Sequence, residues 1–186
     1  FTKTNYTTNL EKLNASKGRL DRLVLEREFI LSGKKIPTKV ELNLNNSNYE
    51  ILSKKLIQYR SKTRSLSSKT NRLRQEIKST KANLKISSEQ LKLKRKLEKV
   101  QENLYKQKIG SLLKYLSAQD ASLNSQLSYL NTENTLRRFE SEFAGLIADE
   151  RAFKAQWISD LSEKIASENE LLSQLTQEEI KLKKQF

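Results

Sequence analysis

The 186-residue chain has no cysteine, no histidine and no methionine, and it holds only one proline and four glycines. Without cysteine there is neither a disulfide framework nor a thiolate metal site. Without histidine, the commonest general base and the commonest metal ligand are both missing. A compact domain of this length normally spends more glycine and proline on turns. No apolar run approaches the ~20 residues that a membrane-spanning helix needs, and no secretory signal is visible. Gly-rich phosphate loops, nucleophile elbows and metal-ligand spacings are missing too. The residues therefore predict no enzymatic activity and no cofactor. The chain starts at Phe1 and ends at Phe186 inside a helical pattern, so it reads as a piece of a longer protein.

What is present is charge and leucine. Charged residues make up 31% of the chain, with 36 Lys plus Arg against 22 Asp plus Glu, a net charge of +14. Such a mixture is close to the Ala/Glu/Lys/Leu/Arg-rich profile of long helices and coiled coils. The expected fold is all-α: a long antiparallel coiled-coil hairpin with a shorter N-terminal helix packed near its base. Residues 1–30 form the first helix, with Leu10, Leu13, Leu20, Leu23 and Leu25 as its apolar stripe. Residues 31–47 form a connecting loop, partly extended, marked by Gly33, Pro37 and an Asn/Ser cluster. Ser47 or Asn48 is the expected N-cap of the next helix.

Residues 48–107 read as the outward helix. Leu52, Leu56, Tyr59, Leu66, Leu73, Ile77, Leu84, Leu91, Leu97 and Leu104 trace its seam, loosened where Thr63, Thr70, Thr80 and Ser87 fall on it. Residues 112–186 read as the return helix, with a seam through Leu116, Leu123, Leu130, Phe139, Phe143, Leu146, Glu150, Phe153, Trp157, Leu161, Ile165, Leu172 and Leu175. At 1.5 Å per residue the two helices would run for about 90 and 110 Å. Their short connection, residues 108–111, makes them antiparallel neighbours. Leu104 should then lie near Leu113 or Leu116, Leu84 near 133–136, and Leu66 near Phe153 or Trp157. The aromatic residues Phe139, Phe143, Phe153 and Trp157 read as core packing rather than a ligand box.

Two features point beyond packing. From Lys54 to Lys99 there are 16 Lys or Arg against Glu76, Glu89 and Glu98. The first reading of this strip is a solvated helix face, and a face that meets acidic neighbours within an assembly stays open beside it. The alternative is phosphate binding by a nucleic-acid-binding or tethering coiled coil, although the regular aromatic interleaving that base stacking needs is missing. The second feature is the turn. Gly110 allows a positive φ or a close backbone approach, and Ser111 can cap the restarting helix. Ile109, Leu112 and Leu113 lie where seam partners run out, and apolar groups exposed at a helix end suggest docking.

At those residues the stretch "ENLYKQKIGSLLKYLSAQDASLNSQL", residues 102–127, resembles the hairpin tip of periplasmic adaptors of type I secretion systems, the membrane fusion proteins of the HlyD family. "FESEFAGLIADERAFKAQWISDLSEKIASENELLSQL" resembles the family's ascending helix, and "LEKLNASKGRLDRLVLEREF" its entry helix. Many adaptors carry a tip pattern of Arg, three residues, Leu, six residues, Ser; here Leu104 and Ser111 match, while Val100 stands at the Arg position beside Lys99. The resemblance implies a full-length protein anchored in the bacterial inner membrane, with lipoyl and β-barrel domains beside a hairpin that projects into the periplasm. It implies copies associating into a tube of six, a tip that meets a TolC-like outer-membrane channel, and an inner-membrane ABC transporter at the base. An exported protein substrate would pass through, and no nucleic acid is expected as partner. The partner-binding residues it implies are Leu104, Lys108, Ile109, Gly110, Ser111, Leu112 and Lys114.

Overall fold

A computed structural model describes residues 2–35, 38 and 42–184. Among them are three long helices and no strand: α1, Thr2–Ser32; α2, Asn46–Lys106; and α3, Leu112–Lys183. The fold is a helical hairpin with a shorter N-terminal helix. Helix α1 continues two residues beyond its expected end. It stops at Gly33, whose φ of 66° places it in the left-handed region and whose N–H donates to the Phe29 carbonyl at 3.0 Å. The rest of the expected loop is only partly visible, since residues 36, 37 and 39–41, Pro37 included, lie outside the described residues.

Helix α2 starts earlier than the sequence suggested. The cap is neither Ser47 nor Asn48 but Asn45, whose Oδ1 accepts the Asn48 N–H at 2.8 Å. Every residue from 45 to 48 is Asn or Ser, so chemistry alone did not single out the one with non-helical backbone.

The chain divides into two compact units. The first joins residues 1–65 to residues 150–186, and here α1, the start of α2 and the end of α3 pack as three helices. Leu23, Leu161 and Ile165 form one core cluster with Leu20, Ile30 and Trp157 against it. Phe29, Leu52 and Leu56 form another, and both leucines are fully buried. Each such side chain contributes about 1.5–3 kcal/mol relative to an exposed one. Phe153 and Trp157 pack on Tyr59 at centroid distances of 5.5 and 5.4 Å, so Tyr59, one heptad before Leu66, takes the place expected for Leu66.

Helix α1 is also held to α3 by polar bonds at intervals along its length. Asn9 Nδ2 donates to Glu178 at 2.9 Å. Ser16 Oγ and Arg19 Nε donate to Glu168 at 2.7 and 2.6 Å. Trp157 Nε1 donates to Glu26 at 3.0 Å. Burial pushes the Glu26 carboxyl above its usual range, against the opposing pull of that bond and of Arg22, Lys55 and Lys164. The Arg19 guanidinium instead holds Glu168 below the usual range, outweighing burial.

The second unit, residues 66–149, consists of the end of α2, the turn and the start of α3. Its cross-helix contacts are antiparallel and lie at the levels expected near the turn: Tyr105 stacks on Tyr115 at 6.0 Å, Arg95 bonds Gln126 at 3.4 Å, and Lys81 pairs with Glu140 at 2.8 Å. Its seam, however, departs from the expected one. Leu66, Thr70, Leu73, Thr80 and Leu91 of α2 are buried, as are Ala118, Ser122 and Leu136 of α3. Leu97, Leu116, Leu123 and Leu130, all expected on the seam, are 41–60% exposed. A seven-residue repeat reveals a stripe but not what the stripe faces. Here the small residues Ala118 and Ser122 occupy the inner face, and the leucines are turned outward.

Candidate functional site at the hairpin tip

Helix α2 ends in a Schellman turn. The Ile109 N–H donates to the Leu104 carbonyl at 3.0 Å and the Lys108 N–H to the Tyr105 carbonyl at 2.9 Å, the paired pattern that closes a helix through one left-handed residue. That residue is Lys108, with φ of 58°. Glycine is the usual occupant because a Cβ is disfavoured there, by about 1–2 kcal/mol.

Gly110 has the other of its two expected roles, close approach. A Cβ at this position would lie 2.9 Å from Leu104 Cβ and 3.0 Å from the Tyr105 nitrogen. Its N–H also donates to the Leu104 carbonyl, at 2.9 Å, so that oxygen accepts two bonds. The Ser111 carbonyl then accepts the Tyr115 N–H at 3.2 Å, which puts Ser111 at the N-cap position of α3.

The seven residues expected at the site thus separate by what they do. Leu104 and Gly110 are half-buried and build the turn. Ser111 is exposed and opens the next helix. Lys108, Ile109, Leu112 and Lys114 present side chains to solvent. Leu113, left out of the expected set, is the most exposed large apolar side chain among the described residues at 76%, with Ile109 at 74%. The apex is therefore apolar, ringed by cations. Lys106 is tied to Glu102 at 2.5 Å, a bond that raises the lysine above its usual range. Tyr105 stacked on Tyr115 braces the turn from below.

No known family matches the chain, and no curated protein sequence does either.

Among the described residues no group of carboxylates could hold a metal ion, and no helix is long and apolar enough to cross a membrane. The cations of the strip from Lys54 to Lys99 are mostly exposed. A few of them, Arg72, Lys81 and Lys92, have carboxylate partners at 2.8–3.1 Å. The tip offers apolar area on a turn fixed by backbone hydrogen bonds.

Proposed function

We propose that this chain is the helical-hairpin part of a periplasmic adaptor for ABC-transporter-driven type I protein secretion, working as a spacer with a docking tip and not as an enzyme. The full-length protein would be anchored in the inner membrane, and copies of it would associate into a tube of six. The tip would meet a TolC-like outer-membrane channel while the base meets the transporter, with the exported protein passing between them. The observation that carries this reading is the apex: Ile109, Leu112 and Leu113 stand exposed on a turn whose backbone is locked by three bonds to Leu104 and Tyr105. Apolar side chains held out on a rigid support mark an interaction site. The resemblance of residues 102–127 to adaptor tips gives the partner its identity.

The test is export by cells whose only adaptor carries Ile109→Asp and Leu113→Asp. Both side chains are exposed, so folding is spared; the expected result is loss of export with unchanged helix content and unchanged adaptor level. Export at the wild-type rate would overturn the tip-docking reading. A second reading, binding of nucleic acid along α2, draws on its exposed cations. It requires DNA affinity that falls steeply with salt, with a log–log slope of about −0.9 per phosphate contacted, and filter binding across a salt series would expose it.

A further inference from the structure

Outward-turned apolar side chains of the second unit form two stripes. On α2 they are Ile86, Leu93, Leu97 and Val100; on α3 they are Leu116, Leu123, Leu127 and Leu130, and all eight are exposed. The steps are seven, four and three in both stripes. At 100° per residue, the α2 stripe lies roughly 160° and the α3 stripe roughly 140° round its own helix from the buried seam residues. They also lie on opposite sides of the helix pair. Leu97 borders the groove it shares with Lys94, Gln101, Ser117 and Ala121. Leu116, Leu123 and Leu130 lie round α3 toward the other side, where Arg95 bonds Gln126, while Leu127 stands on the outer face and borders a groove with Thr80 and Asn83.

We propose that these stripes are the two halves of one contact between copies of this chain, the α2 stripe of one copy packing on the α3 stripe of the next. This gives a surface to the self-association proposed above and rests on that part of the reading. Two observations select a second copy as the occupant. The first is charge. Along the stripes, residues 86–100 of α2 carry five Lys or Arg against two Glu, a net of +3, whereas the one charged side chain in residues 116–130 of α3 is Asp120, a net of −1. A contact of α2 on α2 would bring like charges together, while α2 on α3 brings opposite signs together.

The second is level. Leu93 is level with Leu127, and Leu97 with Leu123, in the antiparallel register set by the cross-helix pairs Arg95–Gln126 and Tyr105–Tyr115. Two copies set side by side without axial shift therefore align the middle of both stripes, with the outer residues within about one helical turn of each other. Because the two halves differ, the contact is head-to-tail: each copy keeps one stripe free for a further copy, and the series ends only by closing into a ring. The seam inside the hairpin carries Thr70, Thr80, Ala118 and Ser122, so much of the apolar area that a coiled coil usually hides within one chain is here left for its neighbour.

The chain contains no cysteine, so Leu93→Cys and Leu127→Cys each introduce a single thiol. The experiment treats each variant alone, and the two mixed, with a short bis-maleimide. The expected result is a covalent dimer of twice 21.6 kDa in the mixture and little in either variant alone. Adding Leu97→Glu to the Leu93→Cys partner should weaken association by about tenfold or more, since an apolar anchor is lost, with helix content unchanged. A dimer from Leu127→Cys alone would mean a two-fold contact between α3 helices and would overturn the proposal. So would sedimentation showing all samples monomeric at the highest concentration tested. The tip variants Ile109→Asp and Leu113→Asp should leave the cross-link intact. If the cross-link fails while those variants still block export, the contact falls and the adaptor reading stands.

Discussion

Replacing Gly110 with alanine isolates the physics of the tip, because the obstacle is space and not backbone angle. The new Cβ would sit 2.9 Å from Leu104 Cβ, whereas carbon atoms rest at about 3.5–4.0 Å. The turn must therefore open by roughly half an ångström or more. Opening strains the two bonds to the Leu104 carbonyl, now 3.0 and 2.9 Å. Losing one costs about 1 kcal/mol, and overpacking adds about 1–2 kcal/mol. The stiffer unfolded chain returns about 0.4–1 kcal/mol, so the net destabilisation is about 2 kcal/mol. For a chain of this size that lowers Tm by about 4–8 °C.

Thermal unfolding followed by far-ultraviolet circular dichroism measures the fall, and amide exchange at Ile109 and Gly110 should quicken. Lys108→Gly is the contrasting control. It removes the left-handed strain of about 1 kcal/mol while adding a similar backbone-entropy cost, so its stability should match wild type or slightly exceed it. A Gly110→Ala protein within about 0.5 kcal/mol of wild type, well under the hydrogen-bond cost, would refute this reasoning. So would a Lys108→Gly protein that is equally damaged.

Other consequences follow from the three-helix unit. Leu56→Ala, at a fully buried position, should cost about 2–5 kcal/mol in denaturant unfolding. Glu168 is held below the usual carboxylate range, so its contribution is present above the unfolded-state value and is lost as pH falls through the lower folded value. Glu168→Gln should accordingly cost about 1 kcal/mol near neutral pH, discounted for the partly exposed Arg19, and nothing in strong acid. Glu26 runs the other way: its folded value is raised, so its contribution is full below the unfolded value and is lost as pH rises through the folded one. Glu26→Gln, which keeps an oxygen for the Trp157 N–H, should be neutral in acid and stabilising near neutral pH in paired denaturation curves. Asn45→Ala should cost about 1 kcal/mol, with faster amide exchange at Asn48.

Much of the tip was legible in the sequence. A lone Gly-Ser between two long periodic segments fixed where the chain turns, and Ile109, Leu112 and Leu113 stood out for want of seam partners. What was not legible was the division of labour inside the turn. The left-handed position belongs to Lys108 and the crowded one to Gly110, because a Schellman turn is set by which carbonyls the last N–H groups reach. Leu113 reads with Ile109 and Leu112 as short of seam partners but also as a neighbour of Leu104, and its 76% exposure decides between the two.

Three helices, their antiparallel return and an apolar apex were determined by the amino-acid sequence itself, through period, punctuation and the shortage of turn residues. Which face of the second unit is inner was decided only by the tertiary structure. Leu116, Leu123 and Leu130 repeat at heptad spacing as a seam would, yet they face outward while Ala118 and Ser122 lie between the helices. The physical reason is that a hydrophobic repeat records a need for burial without naming the surface that meets it. Ala118 and Ser122 let the two helices come together beside the buried Leu91 and Leu136, and Leu116, Leu123 and Leu130 remain outside.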